Sequence, residues 1–131
     1  MQITIEDNRT LIYVYVRKFN GKIVSTFPWV KCKILYDLSD NWIGLEIINE
    51  FIDNKKFNLP PVKSTVINLS FEKIMEDKNK IILLFDSNKK IDHFLEDSCN
   101  IDFNDEGFFG VELILNQPIG GIEVIEQLLE S

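Results

Sequence analysis

One short pattern occurs twice in this chain and narrows the possible folds more than any other feature. Gly44-Leu45-Glu46-Ile47-Ile48 and Gly110-Val111-Glu112-Leu113-Ile114 both read glycine, aliphatic, glutamate, aliphatic, aliphatic. On a strand, alternate positions face one side, so the aliphatic residues would line a core and the glutamate would meet water. The match extends upstream. MQITIEDNRTLIYVYV and FEKIMEDKNKIILLFD each read strand, tight turn, strand, with Glu6-Asp7 answering to Glu76-Asp77 and Leu11 to Ile81. Asp37-Leu38-Ser39-Asp40 aligns with Asp102-Phe103-Asn104-Asp105, which makes the turn before the glycine slightly longer in the second copy. The middle of the second copy is shorter, leaving Phe27-Pro28-Trp29 to the first copy alone.

Two copies of one unit in 131 residues fit a single compact domain, with repeat one at 1–59 and repeat two at 60–131. Within repeat one, Asn20-Gly21 is a hairpin signal because both residue types tolerate positive φ. Val30, Cys32 and Ile34 would face inward, and Lys31 and Lys33 outward. Trp42 to Ile48 reads as a further strand. In FIDNKKFNLPPVKS, residues 51–56 are expected to form a short helix that Pro60-Pro61 ends. Thr65 to Leu69 alternates as a linking strand would. After Gly120-Gly121, Ile122, Ile125, Leu128 and Leu129 recur at helical spacing, so a C-terminal amphipathic helix is expected. The chain holds nineteen isoleucines and no alanine, which tilts it toward strands. The fold class expected is therefore α+β, mainly β: two tandem repeats of antiparallel strands, each followed by a short helical segment.

Ile3 to Asp7, Leu11-Ile12-Tyr13-Val14, Ile34 to Asp40 and Gly44 to Ile48 together resemble a small bacterial domain family of unknown function. Its members carry an aliphatic-Asp turn leading into a Gly-Ile-Glu-Ile-Leu strand. The second copy resembles it at Asp77, Ile81 to Leu84, Asp102 to Asp105 and Gly110 to Ile114. The resemblance implies a small partner protein, sometimes found near toxin-like genes. In size and charge the chain is also similar in kind to bacterial toxin-immunity proteins.

Chemistry-bearing residues are sparse. His93 is the single histidine, and no nucleophile motif surrounds Cys32 or Cys99. The cysteines lack the spacing of a zinc or redox site, so two buried free thiols are expected. Asp102-Phe103-Asn104-Asp105-Glu106-Gly107 opens like a calcium loop, but the twelfth position is Leu113 instead of the required acid. No catalytic residue, cofactor or metal site is assigned, and an enzyme is not expected. No apolar run is long enough to span a bilayer as a helix, and no signal peptide is read at the N-terminus, so a cytoplasmic protein without membrane contact is expected.

Charge is the remaining clue. The net charge is −7, made of +2 over residues 1–65 and −9 over residues 66–131. Phosphates repel such a surface, so nucleic acid is not an expected partner. A basic protein is. Asp92, Glu96, Asp97, Asp102, Asp105 and Glu106 lie in a stretch with no lysine or arginine. Beside them Phe108 and Phe109 are adjacent, so a strand would put them on opposite faces. Trp29 offers an aromatic anchor. The expected partner-binding set is therefore Asp92, Glu96, Asp97, Asp102, Asp105, Glu106, Phe108 and Trp29. The expected function is that of an immunity or antitoxin-type protein blocking the active site of a basic toxin, most readily a nuclease. The alternatives are a self-associating β module forming a homodimer and a phage-encoded inhibitor of a host defence nuclease.

Overall fold

In the computed structural model, the segment expected to be a helix at 51–56 is a pairing of two short strands, Phe51–Ile52 and Lys55–Lys56. That difference extends to the fold class. The structure describes residues 1–16, 25–48, 51–52, 55–56, 73–76, 80–105, 107–123 and 125. Every element among them is a strand, and the main sheet is an eight-stranded antiparallel half-barrel, not an α+β arrangement. Most of the expected C-terminal helix, the Asn20-Gly21 turn and the Thr65–Leu69 strand lie outside the described residues. The apolar positions Ile122 and Ile125 of that expected helix are buried in the core.

In chain order the strands are β1 (Gln2–Ile5), β2 (Leu11–Tyr15), β3 (Ser25–Tyr36), β4 (Trp42–Ile48), β5 (Phe51–Ile52), β6 (Lys55–Lys56), β7 (Lys73–Glu76), β8 (Lys80–Leu84), β9 (His93–Asn104) and β10 (Gly107–Ile114). Their order across the sheet is β1-β2-β10-β9-β3-β4-β8-β7. Exchanging β1 with β7, β2 with β8, β3 with β9 and β4 with β10 reproduces the same order read backwards. Two copies of one unit give this order when each N-terminal hairpin docks on the other copy's last strand. Thus β2 pairs with β10 and β8 with β4.

The register fixes which residues are equivalent. Val30↔Cys99 and Cys32↔Asp97 flank Lys31↔Ser98 at the centre of the β3–β9 ladder. A pseudo-twofold axis there makes Cys32 the equivalent of Cys99. The β3–β4 and β9–β10 ladders shift register at Ile43 and at Phe109, one residue before Gly44 and Gly110. At each bulge the skipped carbonyl takes an outside donor: Phe85 N–H donates to Ile43 O at 2.9 Å, and Val16 N–H to Phe109 O at 2.7 Å. This correspondence pairs Asp102 with Leu35, not with Asp37 as the sequence alignment had it. The turn from β9 to β10 is accordingly the shorter one, closing at Gly107 with φ 116°.

The inner face carries the core. Ile12, Val14, Val30, Cys32, Ile34, Leu45, Ile47, Leu83, Ile101, Val111 and Leu113 alternate inward, as the strand period requires. Trp42 is fully buried, meets Phe85 edge-on at 4.9 Å between ring centres, and donates its indole N–H to Gly44 O at 2.9 Å. Phe108 and Phe109 are both buried: Phe108 joins the main core, as its repeat equivalent Trp42 does, while Phe109 is the equivalent of Ile43. A smaller cluster of Leu35, Ile43 and Leu84 sits on the outer face. Leu115, Ile119, Ile122 and Ile125 add to the main core from the segment after β10. That segment is fastened by Trp42 N–H donating to Gly121 O at 2.7 Å, with Gly121 at φ 71°.

The two pattern glycines differ in what surrounds them. A side chain at Gly44 would run into the backbone carbonyl of Leu83, whereas at Gly110 it would meet the ring of Tyr13. Backbone within a ladder cannot withdraw, but a tyrosine ring can turn. Gly44→Ala should therefore lower the unfolding free energy by about 2–3 kcal/mol, and Gly110→Ala by less. Urea denaturation followed by tryptophan fluorescence checks the order.

Candidate partner-binding surface

β9 is a central strand with an unusual feature: over its first half, both faces meet solvent. It pairs with β3 from His93 to Phe103, but with β10 only from Asn100 to Asn104. Beyond Glu112, β10 stays with β2 and leaves β9. His93 to Cys99 thus has a ladder partner on one side only, among the described residues. Phe94 is 45 % exposed on the outer face beside Leu35, and Leu95 is 58 % exposed on the opposite face beside Ile34. Ile91 and Leu38, at the same end of the sheet, are exposed as well.

The expected partner-binding residues do not form one surface. Asp92, Glu96 and Asp97 are exposed, Glu96 and Asp97 in this half of β9 and Asp92 just before it. Glu96 shares the outer face with Lys33, its register partner, while Asp97 points to the other face. Asp102 is 8 % exposed on the outer face, where it accepts from Tyr13 Oη at 2.6 Å and from Thr26 Oγ1 at 2.5 Å. Burial, and then the hydrogen bond to Asp102, raises the Tyr13 pKa. Phe108 lies in the core and offers no contact area. Asp105 is exposed at the far end of β9, and Glu106 lies outside the described residues. Trp29 is 77 % exposed at a bulge in β3, with a left-handed φ of 60° and its N–H donating to Asn100 Oδ1 at 3.3 Å. The adjacent Phe27 instead stacks on Phe103 at 4.8 Å.

Several neighbours of the exposed stretch were not singled out from the sequence. Lys33 Nζ sits 4.3 Å from the centre of the Phe94 ring and 3.3 Å from Glu46 Oε2. Lys80 reaches the other Glu46 oxygen at 3.5 Å. Glu112 receives Asn100 Nδ2 at 3.1 Å, so Glu46 and Glu112, equivalent in the two repeats, have different partners. His93 lies between two acids, with Nδ1 2.8 Å from Asp92 and Nε2 2.8 Å from Asp40, and stacks on Tyr36 at 5.4 Å. The hydrogen bond to Asp92 raises its pKa most, partial desolvation opposes, and the charges of Asp40 and Asp92 add to the rise.

This cluster shapes the turn beside it. Asp37 accepts from Ser39 N at 2.9 Å and from Asn41 N and Nδ2 at 2.9 and 3.1 Å. Burial alone would raise the Asp37 pKa, but these hydrogen bonds together lower it. Asp40 adopts φ 62°, and its carboxylate is held by His93. The exposed Leu38 is carried on this braced turn.

No group of three or more His, Cys, Asp or Glu side chains among the described residues is arranged to hold a metal ion. Cys32 and Cys99 are buried free thiols. The hydrogen bond to Cys32, then burial, raises the Cys99 pKa, which disfavours the reactive thiolate. No helix among the described residues is long and apolar enough to cross a membrane. Searches of protein-family models, curated proteins and solved structures return no match.

Two predictions follow from these contacts. Asp102→Ala leaves the Tyr13 and Thr26 hydroxyls without their acceptor, so it should lower the unfolding free energy by roughly 1–3 kcal/mol, measured by denaturant titration. The raised His93 pKa means that the protonated ring stabilises the fold. That contribution is fully present below the usual imidazole value of 6.5 and is lost as pH rises through the folded-state value. The stability difference between wild type and His93→Gln should shrink from mildly acidic to mildly alkaline buffer, and Asp92→Asn should lower the His93 titration midpoint followed by NMR.

Proposed function

We propose that this protein is a non-catalytic binder of a basic protein, of the immunity or antitoxin kind. The observation that carries the reading is the stretch Ile91 to Asp97. It exposes Phe94 and Leu95 beside the carboxylates Asp92, Glu96 and Asp97 on a strand within the sheet. Interior strands normally hide apolar side chains at least on one face, so exposure on both marks a surface with another use. Apolar contact supplies the area that binding needs, and the acids steer a cationic partner toward it.

A toxin that cleaves nucleic acid must be positive where it holds phosphate. An acidic protein docked at or beside that cleft keeps the substrate out, and a nuclease is the partner class that this charge favours. The contact set is smaller than the acidic run in the sequence: Asp92, Glu96, Asp97, Phe94 and Leu95, with Leu38 and Ile91 at the margin. Two copies of the chain would bring these acids together, which works against self-association through the same stretch.

The test is co-expression with the protein encoded beside it. That protein should arrest growth alone, and this chain should restore growth. Purified Asp92→Asn/Glu96→Gln/Asp97→Asn should associate with it roughly tenfold more slowly at low salt, with a flatter salt dependence. Equal on-rates for variant and wild type across a salt series would refute the assignment of this surface.

A further inference from the structure

Among the described residues, the exposed half of β9 also has an open backbone edge. We propose that this edge, His93 to Ser98, accepts an extended, basic segment of the partner as an added antiparallel strand. The proposal rests on the reading of the protein as a binder of a basic partner and names how the partner is held.

The geometry runs as follows. The β9–β10 ladder stops at Asn100↔Glu112, and no described residue pairs with His93–Ser98 on that side. The N–H of Ser98 is turned off the β3 ladder and donates to its neighbour's carboxylate, Asp97 Oδ1, at 2.7 Å. Backbone groups alternate in direction along a strand, so Phe94 and Glu96 present their N–H and C=O on the same open side. At about 3.3 Å per residue this edge is about 20 Å long, the length of an ordinary strand. Main-chain hydrogen bonds would give an incoming strand its affinity, and the side chains flanking it would give selectivity. Those flanking side chains are Phe94 and Glu96 on one face and Leu95 and Asp97 on the other.

The pseudo-symmetry supplies a contrast. β3 overhangs its own hairpin partner in the equivalent way, since the β3–β4 ladder stops at Cys32 and β3 begins at Ser25. That overhang is unsuited to a regular ladder. It contains Pro28, which has no N–H, and the register breaks between Phe27 and Val30 with Trp29 at φ 60°. Bulges and proline are the usual means of blocking an edge, and β9 carries neither over His93–Asp97. Among the described residues, the Ser98 N–H is held by the Asp97 carboxylate, an exposed group that an incoming carbonyl can displace.

Charge selects the occupant. A second copy of this strand would add three more carboxylates to an edge that already holds Asp92, Glu96 and Asp97, and like charges gathered on neighbouring strands are unfavourable. A strand with alternating lysines and valines places its cations on one face, beside Glu96 and the Phe94 ring, and its valines on the other, beside Leu95.

The experiment uses the full chain, an alternating Lys/Val heptapeptide, its Glu/Val counterpart, and the Lys/Val peptide N-methylated at every second residue. The Lys/Val peptide should slow amide hydrogen exchange at Phe94, Glu96 and Ser98 at least about tenfold, as new backbone hydrogen bonds do. The other two peptides should not. Glu96→Pro blocks the edge without removing a β3 hydrogen bond, and should abolish that protection where Glu96→Gln only weakens it; thermal melting of both variants reports their folding. If the Lys/Val and N-methylated peptides bind equally and protect no β9 amide, strand addition is refuted while attraction to a basic partner stands. If no cationic peptide binds, the edge proposal fails, and the co-expression test decides the broader reading independently. A concentration-dependent dimer by sedimentation that protects the same amides would replace the basic strand with a second copy and overturn the proposal.

Discussion

The antiparallel ladder between β3 and β9 is the constraint on which the rest of the molecule depends. Both strands are 12 residues long, about twice the usual length. Each pairs with its own hairpin partner near its C-terminal end and with its counterpart along nearly all of its length. Because the two run antiparallel, those C-terminal ends point to opposite sides of the axis at Lys31 and Ser98. β4 and β10 are thereby set on opposite flanks, where each can receive the other copy's hairpin. The same offset leaves the N-terminal half of each long strand without a second neighbour among the described residues. The open edge of β9 is thus a product of the fold's symmetry, not a local irregularity.

Much of this architecture was legible in the sequence. The alternation of Val30, Cys32 and Ile34 against Lys31 and Lys33, and of the two Gly-x-Glu strings, gave the strands and their inner faces. The helix at 51–56 was misread because four residues of a two-strand pairing and one helical turn have similar composition, although Asp53-Asn54 are turn-forming types. The repeat alignment slipped by two residues because it matched Asp37 to Asp102 by letter. In the fold, Asp37 organises a turn through three hydrogen bonds, while Asp102 sits in a strand beneath two hydroxyls. Sequence identity at those positions masks different tasks.

The candidate surface was legible only in part. Charge counting found Asp92, Glu96 and Asp97, but it could not separate them from Asp102, whose burial depends on Tyr13 and Thr26 from distant parts of the chain. Phe108 was attractive because it neighbours Phe109, yet both are buried. The informative signal was local and was passed over: Phe94-Leu95, adjacent apolar residues set between acids. On any strand, one of such a pair must face away from the core. Both are exposed, because among the described residues the neighbour missing on the β10 side is a property of the ladder ends, which no single segment encodes.

The exchange of hairpins between the two halves bears on how the chain reaches its native state. β2 finds β1 and β4 finds β3 within the first half, but the second neighbour of each, β10 and β8, comes from the other half. Contacts are therefore dominated by pairs far apart along the chain, a topology associated with slow acquisition of structure. During synthesis the first half emerges with apolar strands awaiting partners that have yet to be translated, so collapse is deferred to the end of elongation and depends on the last strands to appear.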